Sequence, residues 1–135
     1  MTLPKPIKRA LKIASIPLIA YAALYITDPI FDMISPKIKS KSELARIIKE
    51  EAENKDLDPS KITGTLIQEP AGYAIRSKDG ALEIVVGGFG ATRRCVKHEL
   101  THEQYQDPTS YPETFTGELG YWLFREPRAI LKSFF

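Results

Sequence analysis

The chain predicts an α+β fold, a small three-stranded antiparallel sheet packed with helices, and three stretches carry the prediction. Residues 43–54 set Leu44, Ile47, Ile48 and Glu51 or Ala52 along one side at helical spacing. From Lys61 the apolar period changes to two, broken by turn residues, as far as Val86. Thr92 to Gln106 then contains neither Gly nor Pro, as a helix requires. With 135 residues, 43% apolar and 27% charged, the chain has the size and balance of about one globular domain.

The elements follow in order. Residues 1–35 differ in composition from residues 36–135, which form the domain. Met1 to Lys12 carries Lys5, Lys8, Arg9 and Lys12 without an acid, and Ile13 to Ile26 has no charge at all. Basic residues ahead of an apolar run are the pattern of a signal peptide or a signal anchor, giving membrane association through residues 10–31. The uncharged run is shorter than the ~20 residues that span a bilayer. Ala20-Tyr21-Ala22 resembles a cleavage site, which keeps removal open beside retention. The competing reading is an N-terminal helix packed on the core, with Pro17 awkwardly inside it. The expected location is therefore membrane-associated or exported, and cytoplasmic if the segment is a packed helix.

Pro29 to Ser42, with lysines and no periodicity, reads as a tether. Ser42 reads as the N-cap of a helix from Glu43 to about Asn54, whose charged residues are a solvated face. Ile62 to Gln68 is a first strand, Glu69 to Gly72 a turn, and Tyr73 to Arg76 a second strand. Ser77-Lys78-Asp79-Gly80 is a hairpin turn, and Ala81 to Val86 returns as the third strand. Gly87-Gly88-Phe89-Gly90 is a strand-to-helix link. It has no Gly-Lys-Ser/Thr after it and does not open a βαβ unit, so it is not a phosphate loop. A net charge of +2, with no basic run interleaved with aromatics, argues against a nucleic-acid partner. One cysteine excludes an intrachain disulfide.

The helix from Thr92 to Gln106 carries the chemistry. His98 and His102, the two histidines of the chain, stand four apart, with Glu99 directly after the first. Thr92 is its N-cap. On a helix, residues i and i+4 share a face, so both imidazoles point the same way. Glu99 lies about 100° round from His98, while Val96 and Leu100 turn to the core. Two imidazoles so placed can both ligate one Zn²⁺, and a carboxylate at their edge can take the proton of the water it activates. The alternative is an amphipathic helix with a surface pair of histidines.

A helix, a small sheet and then a helix carrying His98-Glu99-Leu100-Thr101-His102 resemble the zincin metallopeptidases. Within them the likeness is to the gluzincin branch, and to its very small single-domain forms, the minigluzincins. It covers about residues 40–135. The resemblance implies a Zn²⁺ cofactor, His98 and His102 as metal ligands and Glu99 as catalytic base and acid. It also implies a peptide or protein substrate along an edge strand, and a third ligand from a glutamate on a later, C-terminal helix. A metzincin pattern fails on the residues, because its third histidine would fall at Pro108 and Tyr105 stands in place of its glycine.

For the third ligand, Glu126 in Arg125-Glu126-Pro127-Arg128-Ala129 resembles the family's glutamate-helix pattern, in which a small residue three positions on allows close packing against the zinc helix. Pro127 departs from that pattern: it either starts a helix with Glu126 at the N-cap or kinks a longer one. Glu118, and after it Glu113 and Asp107, are the alternatives; Glu103 faces away. Cys95, one turn before His98, reads as a small buried hydrophobe. Tyr105, Tyr111, Tyr121 and Arg128 are candidates to steady an oxyanion. Tyr121-Trp122-Leu123-Phe124 reads as core. The apolar end, Ile130 to Phe135, reads as a helix packed on the core, with self-inhibition by the C-terminus as the alternative. The function expected is a zinc-dependent metallopeptidase. The alternatives are a non-catalytic zinc-binding module and an inactive membrane-tethered adaptor.

Overall fold

The structure, a computed structural model, describes residues 4–105 and 119–135, leaving aside the side chain of Ala14. Its elements are α1 (Lys5–Ile34), α2 (Lys41–Asn54), β1 (Ile62–Ile67), β2 (Ala71–Arg76), β3 (Leu82–Gly87), α3 (Arg93–Gln104) and α4 (Glu126–Ser133). A π-helical turn, Tyr121–Arg125, leads into α4.

The fold is α+β, but the sheet is mixed. Its order is β1-β3-β2, with β1 parallel to β3 and β2 antiparallel to it. The expected all-antiparallel meander is corrected by the connection between the first two strands. Gln68-Glu69-Pro70 does not fold β2 back beside β1; it arches across the end of β3, where Gly87 faces both Ile67 and Ala71. A Cβ on Gly87 would lie 2.2 Å from the Glu69 carbonyl oxygen, so the arch closes on a residue without a side chain. Burial explains the choice of centre. Leu82, Ile84, Val85 and Val86 are all buried, and an apolar run covered on both faces takes the inner position. The β2–β3 hairpin turns at Asp79-Gly80 as expected, with Gly80 at φ 87°.

α2 lays Leu44, Ile47, Ile48 and Ala52 against the sheet, and its buried Glu51 meets Arg93 Nη1 at 2.8 Å. The helix starts two residues earlier than expected, because Ser40 and not Ser42 accepts from the Glu43 amide. Val96 and Leu100 of α3 enter the same core, and α4 packs on α3 with Ala129 and Ile130 fully buried.

The N-terminal region also differs from expectation. α1 is continuous through Pro17 and Pro29, so the first part of the expected tether is helical and only Ser35–Ser40 is extended. Residues 5–20 stand away from the body, with Ile7, Leu11, Ile13, Ile16, Leu18 and Ile19 exposed. The second half docks. Asp28 and Asp32 converge on the buried Arg94 of α3, at 2.5 and 3.0 Å, and Phe31 meets Phe134 edge-on at 5.0 Å. Tyr21 and Tyr25 donate to the carbonyls of Leu123 and Trp122, both at 2.6 Å. Trp122, Leu123 and Phe124 are therefore not core residues. They face α1 and solvent, with Phe124 69% exposed.

Candidate metal centre

α3 begins where Thr92 Oγ1 accepts from the Cys95 amide, which fixes the phase of the helix at its first turn. With Val96 and Leu100 locked in the core, the face one step round carries His98 and His102, rings 5.0 Å apart. Their Nε2 atoms are 3.2 Å from one another. Glu126 reaches both from the opposite helix, Oε1 lying 2.9 Å from His98 Nε2 and Oε2 3.0 Å from His102 Nε2. Two nitrogens and a carboxylate, all within 4.8 Å of one another, form a group that could hold a metal ion.

The turn before α4 places that carboxylate. The Glu126 amide donates to the Tyr121 carbonyl, a π-type bond. The next bond of that kind would run from residue 127 to the Trp122 carbonyl, and Pro127 has no N–H. The hydroxyl of Tyr25 takes its place. Pro127 thus stands in the first turn of α4, directly after a π turn whose Trp122 and Leu123 carbonyls accept from tyrosines of α1, and Glu126 is already helical rather than an N-cap. Glu126 is the carboxylate brought to the histidines. Glu118, Glu113 and Asp107 lie outside the described residues, as does Tyr111.

Electrostatics fit the geometry. Burial would push the Glu126 carboxyl up, but hydrogen bonds from His102 and His98 outweigh it and hold the group well below the usual carboxylate range. For His98, burial works toward a lower value and the hydrogen bond and charge of Glu126 overcome it, raising the imidazole. Glu99 is raised, first by burial and only partly relieved by the two histidines. A raised carboxyl is a better proton acceptor near neutral pH.

A cavity of about 370 Å³ opens beside the group. His98, Glu99, Glu126 and Tyr121 line one side, Pro70-Ala71-Gly72 at the start of edge strand β2 another, and Asp28, Asp32 and Arg94 a third. Tyr121 stacks on His102, centroids 5.8 Å apart and planes 12° from parallel, and among the described oxyanion candidates it is the one in the cavity wall. The Arg128 guanidinium lies 3.8 Å over the Tyr105 ring instead. Cys95 is buried and lines the cavity, and desolvation holds its thiol well above the ordinary value, which keeps it neutral. Glu103 points elsewhere, pairing with Arg76 of β2.

Sequence reasoning missed the third wall. Asp28 and Asp32 lie just past the uncharged run, and their spacing of four was the signal that one face of α1 meets a cation. The C-terminus lies elsewhere: Ser133 Oγ accepts from Arg94 Nη1 at 2.9 Å, Phe134 lies under the Arg94 guanidinium, and residues 133–135 do not line the cavity. Compared with protein-family models, curated proteins and solved structures, the chain matches none.

Proposed function

We propose that this chain is a zinc-dependent metallopeptidase with His98, His102 and Glu126 as metal ligands and Glu99 as general base. The observation that carries the reading is the meeting of three donor side chains from two helices beside an open cavity that also holds a raised carboxyl. Two imidazoles and one carboxylate are the donor set of catalytic zinc sites, which keep a coordination position for water or substrate, whereas structural sites are closed by four protein ligands. When bound there, zinc supplies a Lewis acid for the scissile carbonyl and lowers the pKa of its water toward ~7.

The chain's own residues do the rest. Glu99 accepts a proton from the attacking water and returns it to the departing amine. The open edge of β2 at Ala71 and Gly72 offers backbone groups to an extended peptide running into the cavity. Tyr121, held flat against His102, is the hydroxyl that steadies the developing oxyanion. α1 is the membrane anchor in this reading. Its stretch from Ile13 to Thr27 is uncharged, and Lys5, Lys8, Arg9 and Lys12 in its first turns set the N-terminus on the cytoplasmic side and the body on the other.

The test is metal analysis and peptide hydrolysis on the same purified full chain. One zinc per chain, with hydrolysis abolished by chelator and restored by zinc, supports the reading. One tightly held zinc without hydrolysis of a diverse peptide pool makes the site a non-catalytic zinc module.

A further inference from the structure

Exposed large apolar residues are not spread over this protein. Among the described residues all but Tyr73, Ile75, Phe89 and Tyr105 belong to α1 or to the stretch from Leu119 to Phe135. The second group is not an extension of α1 in sequence, yet it adjoins α1 in space. Tyr21 of α1 shares one apolar groove with Leu123, Phe124, Pro127, Leu131 and Phe135. Phe124, Leu131 and Phe135 are 69%, 51% and 91% exposed there. The Trp122 ring packs on Tyr25 at 5.9 Å.

We propose that Trp122, Leu123, Phe124, Leu131 and Phe135 form a second lipid-contacting surface, continuous with α1, that seats the body on a phospholipid bilayer. Three observations choose lipid as the occupant. The patch begins at the level of Tyr21 and Tyr25, where the free half of α1 enters the body. Its Trp122, with the adjoining Tyr21 and Tyr25 of α1, is of the residue types that concentrate at the membrane–water interface. The uncharged stretch of α1, Ile13 to Thr27, rises about 22 Å at ~1.5 Å per residue, short of a ~30 Å hydrocarbon layer. That shortfall draws the adjoining apolar surface of the body into the interface. Charge agrees: Lys132 lines the same groove and Arg125 precedes the one described acid of this stretch, Glu126, which is turned into the metal group. Anionic headgroups suit that balance.

Tyr121 and Glu126 flank this turn, so the cavity opens within a helical turn or two of the lipid. On the peptidase reading, the polypeptides that reach it are segments leaving a bilayer. The lipid contact itself does not depend on catalysis.

Trp122 is the single tryptophan of the chain and reports on the patch directly. The experiment uses the full chain reconstituted in phosphatidylcholine–phosphatidylglycerol vesicles, first floated on a density gradient. In vesicles carrying bromine high on the acyl chains, Trp122 should lose most of its fluorescence. Aqueous iodide should quench it weakly. The double variant Phe124→Glu with Leu131→Glu should still float through α1 and still bind zinc, but Trp122 should lose its bromolipid quenching and become open to iodide. Flotation with Trp122 quenched by iodide and not by bromolipid overturns the proposal. So does a detergent-solubilised dimer that crosslinks at this patch and already shields Trp122, since a second copy would then be the occupant. Failure to float overturns it together with the anchor. Zinc content measured on the same sample reports separately on the metallopeptidase reading.

Discussion

The hydroxyl of Tyr25 donates at 2.6 Å to the carbonyl of Trp122, to which Pro127, having no N–H, cannot donate. An α1 side chain thereby completes the turn that presents Glu126 to the histidines. Tyr25→Phe keeps the ring against Trp122 and removes only the hydroxyl. An expected loss of about 0.5–1.5 kcal/mol, the ordinary net worth of one hydrogen bond, should show in denaturant unfolding. Tyr21→Phe should cost a similar amount. If both variants melt like the parent, the π turn does not need α1.

Glu99→Gln keeps the size of the side chain but cannot accept a proton. Zinc content should stay at the parent level while peptide turnover falls by about 10²–10⁴. Glu126→Ala removes a donor atom, so zinc is lost on dialysis and the melting temperature of the zinc-loaded protein drops. Glu118→Ala is the discriminating control: loss of zinc there, with retention in Glu126→Ala, would transfer the third ligand to residue 118.

Acidity should act on the metal-free and metal-loaded proteins in opposite senses. The depressed Glu126 stabilises the folded chain above its unfolded value of about 4.3 and loses that contribution as pH falls. The raised His98 contributes fully below about 6.5 and loses its contribution as pH climbs through the folded value. The pair thus helps the metal-free chain most in mildly acidic solution. Zinc requires neutral imidazoles, so its affinity strengthens as pH rises, and levels off above the His98 value. The gap in melting temperature with and without zinc should widen from mildly acidic to mildly alkaline solution; a gap that narrows would remove the histidines from the metal's coordination.

Arg94 is 9% exposed and held by Asp28, Asp32 and Ser133. Taking away one carboxylate leaves a buried cation underpaired. Asp32→Ala should cost about 3 kcal/mol, the low end for a broken buried pair because water still reaches Asp28. A chain starting near Ser40 loses both carboxylates and both tyrosines, so it should be less stable than the parent and hold zinc more weakly. Equal thermal stability of the two would mean that α1 contributes nothing to the body.

Much of the candidate site is local and was readable. The spacing of His98, Glu99 and His102 on a capped helix fixes their faces without tertiary information, and Ala129 after Glu126 marks a close helix crossing. The strand order was not readable from turns alone. Pro70 and the short Gln68-Glu69 link look like hairpin residues, and only the run of buried side chains in β3 marks it as the middle strand. The Tyr121–Phe124 cluster misled for a related reason. Aromatic residues signal burial in water-soluble folds, whereas here their outer surface is open and their inner contact is a helix that had been assigned to a separate segment. Asp28 and Asp32 carried a helical spacing, but their cation lies more than sixty residues away in sequence.

The arch over Gly87 also orders events in time. Closing the β2–β3 hairpin first brings together Arg76 and Leu82, six positions apart, while every β1–β3 partner is twenty apart. The difference in loop-closure entropy is about 1 kcal/mol against β1 at the first contact. The hairpin therefore forms as the template, and β1 is laid along its far edge afterwards, with the arch drawn shut over a glycine. Substitutions in β1 should accordingly speed unfolding more than they slow folding, and those at the Asp79-Gly80 turn should do the reverse.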